Sequence, residues 1–574
     1  MTYNVMAINP GHNGSAALVI DGKLEYYIEE ERMCRFKRDA NPFRAMLYCM
    51  ENNHIDELII GGTGQESHRL NWTGENSYEA LVRKFYPKVK VTNVGNEHHM
   101  GHVASAFYGS GFDTAAAVIV DGSGTRAHLT WEGDERGLEA YETESIYQCS
   151  FPGDFQPVFK RYSENFVPRI IDSDREIDNT ITTVKAYEAV TQYLGWNFIE
   201  AGKTMGLAPY GKKDTKIPKL FYRDTGRGDR NVFMPNYPAG AWIDTERYDY
   251  LKIKIDPTRW HKDPSLLSNP QKNLAWAVQE ETQEFVCDLI EKAVDMTGEK
   301  NIVISGGYGL NVIANYYYRE RFPELNIYID PICHDGGTSI GNAKLFAHKH
   351  IAETNQEHPR DPLTTLYLGP KYDIKSKDIE DLVEDSMELT DVTDADIAQL
   401  IKDRNIVSIF QGRAEAGPRA LGNRSIVYDP TDPDGKAKVN TVKGREWFRP
   451  FAGSIMKEYA KEWFDLRGLD ETPYMMYAME MQPEKIGELP SVTHVDGTCR
   501  IQTVSKEQNE NYYNLINEFY KMSGVPLLFN TSFNLGGEPL VETIFDAIHT
   551  LKNSQLEYLY LPELGKLLKV PNEK

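Results

Sequence analysis

The chain of 574 residues has few cysteines, and none of them are closely spaced. No Cys-X-X-Cys pair occurs among the six: Cys34, Cys49, Cys149, Cys287, Cys333 and Cys499. A zinc site built on thiolates is therefore not expected, and the scattered thiols fit a reducing compartment.

Long apolar runs are also missing. No stretch approaches the roughly 18 residues that would span a bilayer. The opening residues, MTYNVMAINPGHNGS, lack the basic stretch followed by an apolar stretch that marks a secretory signal. We therefore expect a cytoplasmic enzyme with no membrane partner.

Positive charge is in deficit. There are 63 Lys and Arg against 85 Asp and Glu, which gives a formal net charge of -22. Such a surface repels nucleic-acid backbones, and the most basic stretch, GKKDTKIPK (211–219), is short and interrupted by an acid. We expect small-molecule partners and no polynucleotide.

The hydrophobic pattern predicts an α/β protein. Hydrophobic residues make up 41% of the chain, which is enough to build full cores, and the length suggests several domains. Short apolar runs bounded by turn residues predict strands at 3–9, 15–21, 24–30, 57–62, 115–124 and 301–307. A helical stripe predicts a helix over 270–297, with Asn269 as its cap and Gly298 at its end.

A change in composition divides the chain. Residues 353–373 are rich in Pro, Asp and Thr and show no periodicity. We place a boundary here and predict domains at 1–360 and 361–574. The second domain is predicted to mix helices and strands, including a helix at 396–403 and strands at 406–412 and 525–534.

Histidines are concentrated in one place. The chain has 14, and three of them lie in EHHMGH at positions 98, 99 and 102. On a helix, His98 and His102 share a face and could hold one divalent metal, whereas His99 points about 100° away and is interpreted as non-ligating. The general-base Glu of zinc proteases is absent between them, and an isolated pair at this spacing is more often not a metal site.

Two aspartates strengthen the metal interpretation. Asp121 follows the apolar run AAAVIV, and Asp335 lies in CHDGGTS, each beside glycines. Two imidazoles with two carboxylates would suit iron(II), manganese or zinc with open positions for substrate. Each aspartate by itself is also compatible with an ordinary turn.

Cations gather in glycine-rich loops of the second half: Arg413, Arg419, Arg424, Lys443, Arg445, Arg449 and Arg500. Guanidinium donors with close backbone approach suit a phosphate-bearing small molecule. Surface ion pairs are the alternative, but these residues lie in loops rather than on polar helix faces.

Several motifs together carry a family resemblance over essentially the whole chain. In order they are EEERMCRFKRD, EHHMGHVASAFY, EAGKTMGLAPYG, SGGYGLN, GRAEAGPRALGNRSI, VKGREWFRPFA, THVDGTCRIQTV and FNTSFNLGGEPLV. The chain resembles O-carbamoyltransferases of the NodU/CmcH type. The resemblance implies an actin/hexokinase-like (ASKHA) ATPase fold in the N-terminal part and a YrdC-like α/β domain in the C-terminal part.

The resemblance also implies a reaction. ATP and carbamoyl phosphate would give a carbamoyl-adenylate in the C-terminal domain, and the N-terminal domain would transfer the carbamoyl group to a hydroxyl. The acceptor is expected to be a small molecule: a sugar, an antibiotic or toxin precursor, or a nucleoside. The alternatives are a threonylcarbamoyl-type transferase acting on tRNA and a non-catalytic nucleotide-binding regulator. Monomer and homodimer are both left open.

Site residues follow from the same resemblance. It implies phosphate and carbamoyl-phosphate contacts from Arg419, Lys443, Arg449, Arg500, Asn530 and Ser532. It implies a metal centre of His98, His102, Asp121 and Asp335, with iron(II) as first expectation, manganese or zinc as alternatives, and magnesium accompanying ATP. Adenosine contacts are expected from Lys203, Gly306, Gly307 and Asn311.

His12, in the loop PGHNG, is the candidate base for the acceptor hydroxyl, because imidazole titrates near neutrality. A structural role for this histidine is an equal alternative. The chain departs from the family at two points: Asn13 replaces the Asp of many members, and Gly101 with Val103 predicts a looser histidine helix.

Overall fold

The computed structural model describes residues 2–63, 66–131, 134–164, 170–171, 175–178, 182–217, 219–220, 233–243 and 267–571. The chain divides into two compact units. Unit 1 comprises residues 1–30 and 38–364, and unit 2 comprises residues 31–37 and 365–574. The division falls inside the segment 353–373 that changes composition, four residues after the predicted boundary.

Unit 1 opens with a five-stranded sheet. Its strands are Asn4–Asn9 (β1), Ser15–Ile20 (β2), Lys23–Glu29 (β3), Glu57–Ile60 (β4) and Lys90–Asn93 (β5). The order is β3-β2-β1-β4-β5, with β1 to β3 antiparallel and with β4 and β5 parallel to β1. The apolar runs predicted as strands at 3–9, 15–21, 24–30 and 57–62 are confirmed.

A second sheet repeats this arrangement. Its main strands are Thr114–Val120 (β6), Asp134–Ser150 (β8), Asp154–Ser163 (β9), Asn301–Ser305 (β14) and Asn326–Ile329 (β15), in the order β9-β8-β6-β14-β15. Strand β8 is again antiparallel to β6 and β9, and β14 and β15 run parallel to β6. Shorter strands flank this sheet or form a separate ribbon: Arg126–Trp131 (β7), Ile170–Ile171 (β10), Arg175–Asp178 (β11), Phe233–Pro235 (β12) and Ala241–Ile243 (β13).

The two sheets therefore share strand order and strand direction. Duplication of this sheet is the defining feature of actin/hexokinase-like ATPases, so the predicted fold of unit 1 is confirmed. The duplication lies in topology rather than in residues, which explains why the sequence shows no internal repeat.

Helices pack around both sheets of unit 1. Helix Glu30–Cys34 (α1) starts at the end of the first segment of unit 1 and otherwise belongs to unit 2. The helices of unit 1 are Phe43–Glu51 (α2), Ser77–Phe85 (α3), His98–Ser110 (α4), Thr183–Tyr193 (α5), Ala201–Leu207 (α6), Asn269–Thr297 (α7), Val312–Arg321 (α8) and Thr338–Glu353 (α9). Helix α7 matches the predicted long helix and ends at Gly298 in the left-handed region, but its cap is Ser268 rather than Asn269. The backbone N–H and hydroxyl of Ser268 both donate to Gln271, which closes the first turn one residue earlier.

Unit 2 is built on a nine-stranded mixed sheet. Its strands are Glu388–Asp391 (β16), Val407–Phe410 (β17), Arg424–Tyr428 (β18), Ala452–Met456 (β19), Ala478–Glu480 (β20), Thr498–Val504 (β21), Leu527–Ser532 (β22), Tyr558–Leu561 (β23) and Lys566–Lys569 (β24). The order is β16-β24-β23-β17-β18-β22-β19-β21-β20. Its helices are Ser376–Glu380 (α10), Asp394–Lys402 (α11), Gly435–Lys443 (α12), Ala460–Trp463 (α13), Glu510–Ser523 (α14) and Ile544–Lys552 (α15). The part of the chain that the structure describes is thus α/β, as predicted, while the YrdC-like assignment of this unit stays a prediction.

Residues 31–37 join unit 2 through buried arginine contacts. The Arg32 guanidinium donates to the backbone oxygens of Glu415 and Gly417, at 3.3 and 2.6 Å. Arg35 donates to the backbone oxygen of Leu540 at 2.6 Å. Within the part of the chain that the structure describes, no helix combines the length and apolar character needed to cross a bilayer.

Candidate metal centre and anion site

Helix α4 brings two imidazoles to one point. His98 begins the helix and His102 lies one turn later, so both side chains occupy the same face. Their Nε2 atoms are 3.2 Å apart, and both rings are almost completely buried. The backbone N–H of His98 donates to the Thr125 hydroxyl at 3.0 Å, which fixes the start of the helix.

Two carboxylates complete the cluster. Asp121 follows β6 directly, and Asp335 lies three residues before α9 begins. The Nε2 atom of His98 is 3.7 Å from Asp121 Oδ2 and 3.8 Å from Asp335 Oδ1. One ligand atom from each of the four residues falls within 4.8 Å of the others, so the structure assembles all four predicted metal ligands.

Two glycines allow α4 and α9 to approach closely. A Cβ atom on Gly341 would lie 2.0 Å from the Gly101 carbonyl oxygen, and one on Gly101 would lie 2.9 Å from Thr338 Cβ. Helix α4 is unbroken across Gly101, so the prediction of a looser helix is wrong. Gly101 instead allows α4 and α9 to cross closely, and this crossing brings Asp335 next to His98 and His102.

Electrostatics in the cluster are strongly coupled. Burial lowers the pKa of His98, but the charges of Asp335 and Asp121 outweigh it and raise that pKa to about 9. Burial and the charge on His98 lower the pKa of His102 to about 3. Burial opposes ionisation of Asp335, yet the three histidines around it, His12 included, hold the pKa of this carboxyl below its usual range.

The donor set fits a divalent metal. With metal–nitrogen distances of roughly 2.0–2.1 Å, two imidazoles on one ion stand about 2.9–3.4 Å apart. The observed separation of 3.2 Å between the two Nε2 atoms lies in that interval. Two imidazole nitrogens with two carboxylates also match the preferences of iron(II), manganese and zinc, and metal binding would displace the proton of His98.

His12 lies beside the cluster and is open to solvent. Its Nδ1 atom is 3.2 Å from Asp335 Oδ2, and its side chain is 52% exposed. A carboxylate that accepts from Nδ1–H leaves the Nε2 lone pair available as a proton acceptor. The neighbouring Asn13 adopts a positive φ of 64°, a conformation that asparagine tolerates well.

His99 points away from the four-residue cluster. Its Nδ1 atom lies 2.7 Å from the Ser145 hydroxyl and 3.7 Å from Glu142 Oε2. Burial lowers its pKa, although Glu142 opposes the shift. The side chain is completely buried and belongs to the polar interior of the second sheet.

The predicted nucleotide residues divide into two groups. Gly306 has a φ of 92°, and a Cβ there would lie 2.4 Å from the Val120 carbonyl oxygen, while the Gly307 N–H donates to Asp121 Oδ1 at 3.3 Å. Both glycines therefore adjoin the metal cluster. Asn311 caps α8 and exchanges hydrogen bonds with Gln279, and Lys203 pairs with Glu200 at 2.8 Å. These contacts give Asn311 and Lys203 structural roles, and their nucleotide contacts stay predictions.

In unit 2, Lys443 is an anchor for the turn after β22. Its buried ammonium donates to the backbone oxygen of Ser532, to that of Asn534 at 2.8 Å and to Asn534 Oδ1 at 3.2 Å. Burial and the charges of Arg445, Lys37 and Arg449 lower its pKa. The amine thus holds the loop that carries Ser532, and a direct phosphate contact stays a prediction.

Arginines gather around this anchor, and their positive charges lower one another's pKa. Burial, followed by Arg419, Arg445 and Arg449, lowers the pKa of Arg500 well below its usual value. Burial and Arg449 lower the pKa of Arg445 to about 9, and Glu446, which lies 3.5 Å from Arg449, only partly offsets this. Guanidinium groups that destabilise one another's charge form a ready site for an anion. We call Arg419, Lys443, Arg445, Arg449 and Arg500 the cation cluster.

Two other predicted cations serve the fold instead. Arg424 is completely buried and donates to the backbone oxygens of Gln411 and Asn423, at 2.5 and 3.0 Å. Arg413 donates to the backbone oxygens of Leu368 and Gly369. Grouping both with the phosphate-binding residues was wrong, because their guanidinium donors are used in tying loops together.

Asn530 and Ser532 lie on β22 beside the cation cluster. The amide of buried Asn530 donates to the Ala420 carbonyl oxygen at 3.1 Å and to the Ser454 hydroxyl at 2.9 Å, which leaves its Oδ1 atom without a partner among the described residues. The Ser532 hydroxyl donates to Asn534 Oδ1 at 2.5 Å. A buried carbonyl oxygen with no donor is suited to an amide N–H of a ligand.

Sequence reasoning missed four contributors. Arg445 was noted for its charge but not given a site role, and Lys37 acts on Lys443 from a distant part of the sequence. Ser305 contacts His102 from behind the cluster, and Asp330 in turn accepts from the Ser305 hydroxyl. The ends of β14 and β15 could have suggested the last pair, since polar residues at adjacent strand ends meet.

Comparison with known proteins now decides the family. Residues 71–344 match the sequence profile described as Carbamoyltransferase N-terminus, and residues 398–566 match the one described as Carbamoyltransferase C-terminus. Nodulation protein NolNO of Sinorhizobium fredii (strain NBRC 101917 / NGR234) is 30% identical over 96% of this chain and 78% of its own length. The chain belongs to the carbamoyltransferase family. It is a carbamoyltransferase enzyme.

Other relatives of this carbamoyltransferase agree. Nodulation protein NolO of Bradyrhizobium diazoefficiens is 30% identical over 80% of this chain and 77% of its own. Nodulation protein U of Rhizobium tropici is 26% identical over 93% of this chain and 91% of its own. The solved structure of full-length HypF in its phosphate- and nucleotide-bound form covers 62% of this chain and 56% of its own, with 13% identity and a TM-score of 0.36. That last similarity is too low to support an argument.

Proposed function

We propose that this carbamoyltransferase uses ATP and carbamoyl phosphate to carbamoylate a hydroxyl group of a small molecule. In unit 2, hydrolysis of carbamoyl phosphate gives carbamate and inorganic phosphate, and the carbamate attacks the α-phosphate of ATP to form carbamoyl-adenylate and pyrophosphate. Unit 1 then transfers the carbamoyl group to the hydroxyl with release of AMP. The observation that carries the proposal is the cation cluster, in which arginine charges destabilise one another inside a strongly acidic protein.

The chemistry explains why such a cluster is needed. Carbamate is a poor acyl donor, and its mixed anhydride with AMP has a good leaving group. Forming that anhydride builds negative charge on the transferring phosphate, which preorganised guanidinium donors stabilise. Arg419, Arg449 and Arg500 would contact phosphate, Lys443 would hold the loop of Ser532 in place, and Asn530 Oδ1 would accept an N–H of the carbamoyl group.

In unit 1, His12 is the base for the acceptor hydroxyl. Asp335 holds its Nδ1 side, so Nε2 can take the proton as the oxygen attacks the carbamoyl carbon. His98, His102, Asp121 and Asp335 would hold one divalent metal, which would polarise the carbamoyl carbonyl and bind nucleotide phosphate when present. Iron(II) is the first choice, with manganese and zinc as alternatives.

A small molecule is favoured over tRNA as the acceptor. The net charge of -22 opposes binding of a polynucleotide, and the cation cluster is local. A regulator without catalytic activity is disfavoured because both the four-residue metal cluster and the cation cluster are intact. The protein is proposed to act in the cytoplasm.

The test uses the purified protein with ATP and carbamoyl phosphate and without acceptor. Mass spectrometry should detect carbamoyl-adenylate, and a coupled assay should detect pyrophosphate. Their absence in the presence of iron(II), manganese and magnesium would refute the proposal at its first chemical step.

A further inference from the structure

The ring of His102 is held from behind by a serine. Its Nδ1 atom lies 3.3 Å from the Ser305 hydroxyl, while its Nε2 atom faces His98 at 3.2 Å. Ser305 is the last residue of β14, and neither side chain is accessible to solvent. The two ring nitrogens therefore face different partners.

The serine is held in turn by a carboxylate. The Ser305 hydroxyl donates to Asp330 Oδ2 at 3.1 Å, and the Ile332 N–H donates to Asp330 Oδ1 at 3.0 Å. Asp330 follows β15, which runs parallel to β14, so the adjacent strand ends bring the two residues together. Asp330 is buried as completely as its partners.

The number of hydrogens available decides which atom donates in each hydrogen bond from His102 to Asp330. Both oxygens of Asp330 accept, and Oδ2 takes the single hydroxyl hydrogen of Ser305. The Ser305 oxygen must then accept, and the hydrogen it accepts is carried by Nδ1 of His102. The Nε2 atom is left with a bare lone pair directed at the metal cluster.

We propose that Ser305 and Asp330 are positioning residues that lock His102 in the tautomer and orientation required of a metal ligand. The inference rests on the proposed metal centre and deepens it. Carboxylate-to-histidine chains of this kind raise ligand basicity and fix ring orientation at metal sites.

His98 provides an internal contrast. Its Nδ1 atom is buried and has no hydrogen-bond partner among the described residues. Of the two imidazole ligands, His102 alone has such a backing chain within the described part of the chain, so its ring has the more firmly fixed orientation. His98 is then the ligand that can adjust.

Metal affinity measures the effect without reference to catalysis. Zinc(II) is titrated into the full-length protein in competition with a chromogenic chelator at fixed pH. We expect Ser305→Ala to weaken zinc binding about 10–100-fold. Asp330→Asn should weaken it at least as much, because its amide can donate to Ser305, which would then donate to Nδ1 and place the hydrogen on Nε2.

A matched control and a double variant separate positioning from general damage. Ser105 also hydrogen-bonds to Asp330 but is not part of the chain to His102, so Ser105→Ala should change zinc affinity far less. Because Asp330 acts through Ser305, the double variant should lose no more affinity than the worse single variant.

The outcomes are distinct. Zinc affinity within twofold of wild type in folded Ser305→Ala, or in folded Asp330→Asn if the first variant does not fold, overturns the inference. Additive losses in the double variant also overturn it. If the wild-type protein itself binds no stoichiometric metal, the proposed centre fails, and the positioning chain fails with it.

Discussion

The His98 imidazole balances negative charge in the buried cluster as well as offering a ligand nitrogen. Removing His98 leaves Asp121 and Asp335 facing each other with less compensation. We expect His98→Ala to lose stoichiometric metal, as measured by elemental analysis after dialysis. The exposed His54, outside the cluster, gives a matched control, and His54→Ala should keep its metal. Full metal content in His98→Ala would refute the ligand assignment.

Glu30 allows a pH prediction at a single residue. It accepts the N–H groups of Arg44 and Ala45 at 2.9 and 3.0 Å, and burial raises its pKa to about 7. Because the folded state holds this proton more tightly than the unfolded state, its contribution to stability is complete below pH 4.5 and is lost as pH rises through 7.

Glu30→Gln cannot ionise, so the variant avoids the loss of stability above pH 7. The glutamine oxygen can still accept the N–H groups of Arg44 and Ala45. We expect the variant to be more stable than wild type at pH 8, by up to about 3 kcal/mol, and similar at pH 5. Thermal unfolding at the two pH values measures this. A variant less stable than wild type at pH 8 would contradict the assigned pKa direction.

Single residues differ in how far the sequence reveals them. The i, i+4 spacing places His98 and His102 together because a helix enforces it. The roles of Arg413 and Arg424 could not be read in the same way, because a guanidinium donates to backbone as readily as to phosphate. Only the surrounding loops show which of the two occurs.

At the scale of elements, the crossing of α4 and α9 decides where Asp335 lies. Gly341→Ala would force a Cβ atom to 2.0 Å from the Gly101 oxygen, so the helices must separate. We expect a loss of about 1–3 kcal/mol in stability, together with weaker metal binding. Thermal unfolding and elemental analysis test both effects.

The matched control is another glycine in a helix. Gly202 in α6 has no atom within 4 Å of an added Cβ, so Gly202→Ala should leave stability unchanged or slightly raised. Equal losses in the two variants would show that the helix crossing is not the cause.

The positions of strands and helices could largely be predicted from the sequence, but the pairing of one strand with another could not. Apolar runs such as 3–9 and 15–21 encode β1 and β2 locally. The pairing of β14 with β6 joins residues nearly 200 positions apart, and no periodicity encodes it. For the same reason the contact of His102 with Ser305, and through it with Asp330, is visible only in the fold.

At the scale of the whole molecule, the two candidate sites belong to different units. The cation cluster lies in unit 2, and the metal cluster with His12 lies in unit 1. We therefore expect the two half-reactions to be separable by substitution. Arg449→Ala should reduce pyrophosphate release about 100-fold or more, because it removes a donor to the developing phosphate charge.

His12→Asn should show the opposite pattern. Pyrophosphate release should stay near the wild-type rate, while transfer of radiolabel from carbamoyl phosphate to an acceptor found by screening falls about 10²–10⁴-fold. Equal losses in both steps would instead assign His12 to nucleotide binding or to structure.

The crowded arginines of unit 2 have a practical consequence. A pocket whose guanidinium groups repel one another gains free energy from any small anion, so sulfate, inorganic phosphate and concentrated chloride should compete with substrate. Buffer choice then becomes part of the kinetics, and the same salts should protect the protein against heating. An enzyme purified in phosphate buffer would therefore show a raised melting temperature and a reduced reaction rate.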